Sequence, residues 1–272
     1  MVPLQIGEVF GHDTAVPASA SKRKSGHCPF RNSPCTKGGI SNPLGICSYS
    51  EGSLATVVCP VRFHEDHRIF HDAARIAFGN GKECVAVPEV RVLEVTNGPK
   101  KKKIGKVDFL LVHIEDRKAI DFAALEIQAV YISGKTIRPA FDHYLNSGEL
   151  LESGRRRTDF RSSGPKRLMP QLSLKVPIFR RWGKRFFVVV DSTFFAELPS
   201  IKGQSEGNSE VTWLSYAIER QKNGGYKMQP PVVTHTLWDD VEHALREGEA
   251  PEKSAMLQFL TAKIRSQQPF TT

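Results

Sequence analysis

Two closely spaced apolar runs between Gly105 and Pro139, each carrying acidic or amide side chains, constrain this chain more than any other feature. The first, Lys106-Val107-Asp108-Phe109-Leu110-Leu111-Val112, is dense in β-branched and large apolar residues and reads as a buried strand. A polar break at Glu115-Asp116-Arg117-Lys118 separates it from the second, Phe122-Ala123-Ala124-Leu125-Glu126-Ile127-Gln128-Ala129-Val130-Tyr131-Ile132. A carboxylate inside such a strand is costly unless something compensates it. A divalent cation is one such partner, and two neighbouring strand carboxylates suit an oxygen-loving ion such as Mg²⁺.

Alternation sorts the second run. Glu126 and Gln128 are two apart and share one face of a strand, while Leu125, Ile127 and Ala129 point to the other, which can be core. If the two runs pair as neighbours, Asp108 joins Glu126 and Gln128 at one end of the sheet. The competing reading leaves Glu126 and Gln128 at a solvated edge with no chemistry. Upstream, Val85–Val95 reads as a strand and Asn97-Gly98-Pro99 as a turn, which makes an antiparallel hairpin with the Asp108 run. A third carboxylate is available there from Glu89 or Glu94. The unknown turn register leaves the choice open, with Glu89 preferred.

Four of the five cysteines, Cys28, Cys35, Cys47 and Cys59, fall in a Gly- and Pro-punctuated segment with few apolar residues. A tetrahedral thiolate site would supply the cross-link that such a segment lacks. The alternative is scattered free thiols. Cys84 stands apart in a strand-like run and reads as core. Domain limits follow: a basic flexible arm over 1–25, a Cys₄ metal-binding lobe over 26–62, and a core over 63–272.

Elsewhere, His64 to Gly79 has helical spacing, with His64, His67 and His71 on one polar face. Ile137 to Leu145 reads as a short helix with Pro139 in its first turn. Phe186–Asp191 and Val232–Thr236 read as strands, and Glu210–Arg220, Trp238–Arg246 and Glu252–Arg265 as helices. The last of these carries Ala255, Met256, Phe259, Leu260 and Ile264 as its buried stripe.

The charge balance is basic, 38 Lys plus Arg against 29 Asp plus Glu, which favours a polyanionic partner. Lys22, Arg23 and Lys24 in the arm are candidate phosphate contacts, or a solvated tail. The stretch 155–185 contains Arg155, Arg156, Arg157, Lys166 and Arg167 with Phe160, Phe179 and Trp182 interleaved, a composition suited to a nucleic-acid surface. Its alternative is a charged loop. No apolar segment approaches the roughly 20 residues that span a bilayer, and Met1 to Ala20 shows no secretory pattern. A reducing cytoplasm without disulfides is the expectation.

Asp108, seventeen intervening residues and then Glu126-Ile127-Gln128 resemble the PD-(D/E)xK nuclease core. That resemblance implies that Asp108 and Glu126 hold Mg²⁺, with the third position, usually Lys, helping to place the attacking water. Gln128 departs from the pattern by removing a positive charge. Combined with Gly26-His27-Cys28-Pro29-Phe30, Cys35, Cys47 and Cys59-Pro60, the motif resembles the NotI-type restriction endonucleases, in which a Gln at this position is a point of agreement. The resemblance covers roughly residues 26–145. It implies an α/β (α+β) fold with a mixed sheet flanked by helices, Cys₄-bound iron or zinc, and Mg²⁺-dependent double-strand cleavage. It also implies a homodimer on a palindromic, GC-rich site in double-stranded DNA, in a bacterial cytoplasm. The rival functions are a repair or mobile-element nuclease with the same chemistry, and a non-catalytic, metal-clipped DNA-binding protein.

Overall fold

The computed structural model of the chain describes residues 4–51, 54–97, 100–151, 156–246, 251–266 and 268–269. Two sheets organise them. The first contains β1 (Gln5–Val9), β2 (His12–Asp13), β3 (Ile46–Glu51) and β4 (Leu54–Val57) in the order β2-β1-β3-β4. The second contains β5 (Cys84–Asn97), β6 (Lys100–Glu115), β7 (Lys118–Gln128), β8 (Phe186–Asp191), β9 (Val211–Tyr216) and β10 (Val232–Thr236). Its order is β10-β9-β8-β7-β6-β5. β8 runs parallel to both β7 and β9, and the outer pairings are antiparallel, so the sheet is mixed. Helices flank it, and the fold class is the α+β arrangement expected.

The central strands explain themselves. β8, Phe-Phe-Val-Val-Val-Asp, is buried along its whole length, as a parallel strand covered on both faces must be. One face of the sheet gathers Val107, Ala124, Phe186, Val188 and Val190 against α3 (Met169–Arg181) and α4 (Trp238–Arg246). The other gathers Leu111, Leu125, Phe187 and Val189 against Ile69 and Ala73 of α1 (Arg68–Phe78). Leu125 and Ile127 thus face α1, while Val188 and Val190, in register with Glu126 and Gln128, face α3. α2 (Arg138–Ser147) takes Pro139 in its first turn and buries Phe141 and Tyr144.

Several expectations change. Residues 5–9 are not part of an arm: β1 pairs with β3 and buries Ile6 and Val9 in the same apolar cluster as Val188. The cysteine-bearing segment therefore shares its sheet with the N-terminal residues and its apolar cluster with the main sheet. The segment over 210–220 is strand, not helix. β9 is buried on both faces, and Thr212 and Ser215, one on each face, hide the period of two. α1 begins only at Arg68, because Asp66 and His67 have positive φ and break the run from His64. The helix α5 (Lys253–Ile264) forms, but Ala255, Met256, Phe259, Leu260 and Ile264 are all exposed rather than buried. The expected turn at 97–99 falls largely outside the described residues, although its two strands pair as an antiparallel hairpin.

Candidate active site

The antiparallel register of β6 and β7 sets Phe109 opposite Leu125, so the next rung places Asp108 opposite Glu126. The two carboxylates sit side by side. Ile127 N–H donates to Asp108 Oδ2 at 2.9 Å, and Asp108 N–H donates to Glu126 Oε2 at 3.4 Å. Glu126 is buried and Asp108 half-buried. Burial raises both carboxyls above their ordinary range. For Glu126, the neighbouring Asp108 charge adds to burial, and together they bring it to about 7. Two close carboxylates that resist ionising together form a site waiting for positive charge.

Part of that charge is already present. Lys175 of α3 donates from Nζ to Glu126 Oε1 at 2.6 Å and to Gln171 Oε1 at 3.1 Å, and it is as buried as its partner. Its charge lowers both Asp108 and Glu126, opposing the effect of burial. Sequence reasoning missed this residue. The signal was there: Leu172, Lys175, Val176 and Phe179 follow the i, i+3, i+4, i+7 spacing of a buried helical stripe, and Lys175 is the one charged member.

Gln128 is buried, and its side-chain amide donates to the Ala129 carbonyl at 2.7 Å. Glu89 lies on the rung of β5 opposite Asp108, since Pro88 pairs with Phe109 and Val90 with Val107. Its side chain is exposed and tied to Lys106 Nζ at 2.8 Å, and its charge still reaches Asp108. Glu94 pairs with Lys103, five positions further along the strand. Of the two, Glu89 is therefore the one next to the carboxylate pair. A cleft of about 740 Å³ opens beside the site, lined by Gln128, Gln171, Tyr49, Tyr131, Arg156 and Arg167 among others. Paired carboxylates, a buried cation and a basic cleft suit the hydrolysis of a phosphodiester.

The family described as "Restriction endonuclease NotI" matches residues 8–228, a span that takes in both sheets up to β9 together with α1–α3. The chain belongs to the NotI restriction endonuclease family. A restriction endonuclease hydrolyses DNA, and the match extends well past the two motif blocks at 26–145. No curated protein sequence matches the chain.

In this NotI-family chain, Cys28, Cys35, Cys47 and Cys59 are all buried. Each is the neighbour of another: charge on Cys59 and Cys28 acts on Cys35, and charge on Cys59 acts on Cys47. The Cys59 N–H also donates to the Cys47 carbonyl at 3.2 Å. Burial pushes the Cys35 and Cys47 thiols up, so a bound cation is what would favour their thiolates. Lys37 is set among them, donating to the Ile46 and Val58 carbonyls at 2.8 and 3.0 Å. The donor set fits a soft metal ion. As placed, however, no three His, Cys, Asp or Glu side chains among the described residues form a group able to hold one. Cys84 lies apart on β5.

The basic candidates divide. Lys22 and Lys24 are exposed, while Arg23 caps the end of α2 through the Leu145 and Asn146 carbonyls. Arg156 lines the cleft and donates to the Thr136 carbonyl, Arg157 is exposed, and Arg167 stacks on Tyr131. Lys166 is exposed beside them. Arg155 lies outside the described residues. The aromatic interleaving proves to be packing, because Phe179 is core, Phe160 stacks on Phe194, and Trp182 contacts Phe122 and Phe179. Among the described residues no helix is long and apolar enough to cross a membrane.

Proposed function

We propose that the chain is a type II site-specific endonuclease, making Mg²⁺-dependent double-strand cuts at a palindromic, GC-rich site in DNA. The carrying observation is the Asp108–Glu126 pair, two adjacent carboxylates both pushed up by burial, Glu126 further raised by the Asp108 charge, beside a basic cleft. Asp108 and Glu126 hold the ion, and Glu89 lies near enough to add charge from the neighbouring strand. Bound there, Mg²⁺ supplies positive charge to the scissile phosphate and acidifies water. Gln128 orients water through its carboxamide, or contributes an oxygen ligand, and never serves as a base because a carboxamide does not titrate usefully. Arg156, Arg157, Lys166, Arg167 and the arm residues Lys22 and Lys24 supply phosphate contacts, and arginine forks suit guanine. The four cysteines are the soft donors for one structural iron or zinc ion, which they would hold only by drawing closer together than they stand here, and the protein works in a bacterial cytoplasm.

The test is direct. Asp108→Asn and Glu126→Gln should each lower cleavage by at least about a thousandfold while duplex binding in Ca²⁺ persists. Near wild-type cutting by either variant would show that the site is elsewhere. Wild type that binds the duplex but never cuts it in Mg²⁺ would leave only a binding module. One carboxylate pair addresses one strand, so the active species is a symmetric homodimer. Light scattering on a short specific duplex should give two chains per duplex, and a single chain that cuts both strands in one encounter contradicts this.

A further inference from the structure

The carboxylate pair has a buried cation beside it: Lys175 Nζ lies 2.6 Å from Glu126 Oε1. A lysine buried on the core face of a helix is costly unless it is paired and hydrogen-bonded. Lys175 meets that condition only through the site itself: its hydrogen-bond partners among the described residues are Glu126 and Gln171. An ammonium has three N–H donors, so one remains after these two. Gln171, to which the ammonium donates, lines the cleft together with Gln128, so the ammonium stands one side chain back from the cleft. A methionine or leucine at position 175 would complete the stripe of Leu172, Val176 and Phe179 without this penalty.

We propose that Lys175 is the site's own cation, delivered from α3 in place of the strand position filled by Gln128, and that it donates to a non-bridging oxygen of the scissile phosphate. Water oxygen bonds to phosphorus and the bond from phosphorus to the leaving sugar oxygen breaks, its electron pair staying on that oxygen. The attacking water loses a proton to solvent and the leaving oxygen takes one from solvent. Lys175 takes no part in these proton transfers, and the charge it meets is the negative charge that builds on the non-bridging oxygens as attack proceeds. Preorganised charge of this kind acts in the transition state more than in the ground state.

The inference rests on Asp108 and Glu126 being the hydrolytic pair, and the test separates the two. Wild type, Asp108→Asn, Lys175→Met and Lys175→Arg are compared on a plasmid carrying one mapped cut site. Duplex binding in Ca²⁺, thermal melting, and cleavage across a Mg²⁺ titration are measured for each. Lys175→Met should bind the duplex as wild type does and need no more Mg²⁺ for half-saturation, since a competing cation has gone. Its rate at saturating Mg²⁺ should fall at least about a hundredfold. A purely structural ion pair gives the reverse: lowered melting, and full rate once Mg²⁺ saturates. That result overturns the proposal. If Lys175→Met does not fold, Lys175→Arg decides, because it keeps the charge pair but cannot seat a planar guanidinium where the ammonium sits. A tenfold or greater loss of rate at saturating Mg²⁺ is then expected, and wild-type rate overturns the proposal. If Asp108→Asn cuts normally, the active site itself is misassigned. If it is inactive while the folded lysine variants cut at full rate, the lysine alone is wrong.

Discussion

His64 shows how far a single side chain here is governed by its surroundings. Its ring packs edge-on against Phe70 and Phe109, at 5.4 and 5.5 Å between centroids. Burial lowers its pKa to about 4, with the charges of Arg31 and His67 adding to the effect. In the unfolded chain the imidazole titrates near 6.5. Below that pH the unfolded state binds a proton that the folded state refuses, so stability is full above about 6.5 and is lost as pH falls toward 4. The loss is at most about 3 kcal/mol for a shift of this size. His64→Phe should therefore flatten the acid side of the stability–pH curve in denaturant titrations between pH 6.5 and 4. An unchanged slope would mean that the ring is not held neutral. The polar helical face drawn for His64, His67 and His71 missed this, because Phe109 reaches the ring from β6 and helical spacing cannot show it. Asp108 and Glu126, by contrast, were legible as charges in apolar runs, where only a partner could justify them. Lys175 was legible only as the charged member of an apolar helical stripe, and its partner was not, because Glu126 lies 49 residues away along the chain.

At the level of elements, an unbroken apolar run or a clean alternation made a strand readable, and polar residues scattered through a buried strand hid one. β7 alternates, so Glu126 and Gln128 separate cleanly from Leu125 and Ile127. β9 is buried on both sides but carries Thr212 and Ser215, and its mixed polar and apolar pattern passed for an amphipathic helix. α5 shows the opposite failure, a correct helix whose apolar stripe is exposed rather than buried. The Asp108 strand also depends on a backbone feature that the motif hides. Gly105 has φ of 65° within β6, and a Cβ there would stand 3.3 Å from Leu93 Cβ on the partner strand. An L-residue in this left-handed region costs about 1–2 kcal/mol before any clash. Gly105→Ala should lower stability by about that amount in denaturant titrations. Because Asp108 is three residues away on the same strand, it should also slow cleavage at saturating Mg²⁺ at least about tenfold. Wild-type stability together with wild-type rate would show that the left-handed turn is not needed to place the carboxylate.

Across the whole molecule, the two sheets are stitched together rather than merely adjacent. The Val57 N–H donates to Asp191 Oδ2 at 2.8 Å, and Val130 N–H donates to the Val57 carbonyl at 3.2 Å. Thr56 and Thr193 share a hydroxyl hydrogen bond of 3.0 Å. Cys28 and Cys35 belong to the same apolar cluster as Ile6, Phe141 and Val188. A separate lobe over 26–62 was a natural expectation from cysteine spacing, since composition cannot reveal which sheet a loop-rich segment leans on. These contacts change what loss of a thiolate should do. If Cys28, Cys35, Cys47 and Cys59 hold one ion, the purified protein carries about one equivalent of iron or zinc per chain, since four thiolates leave no open position for water and mark the role as structural. Chelation, or Cys35→Ser, should then lower the melting temperature by about 10 °C or more in a single calorimetric transition, because losing several kcal/mol acts on one cooperative unit. Residues 26–60 coming apart in a first transition, with the Asp108–Glu126 sheet melting later at its original temperature, would show the lobe to be independent after all. A metal-free wild type, or a Cys35→Ser protein with unchanged metal content and melting, would remove the metal from the account altogether.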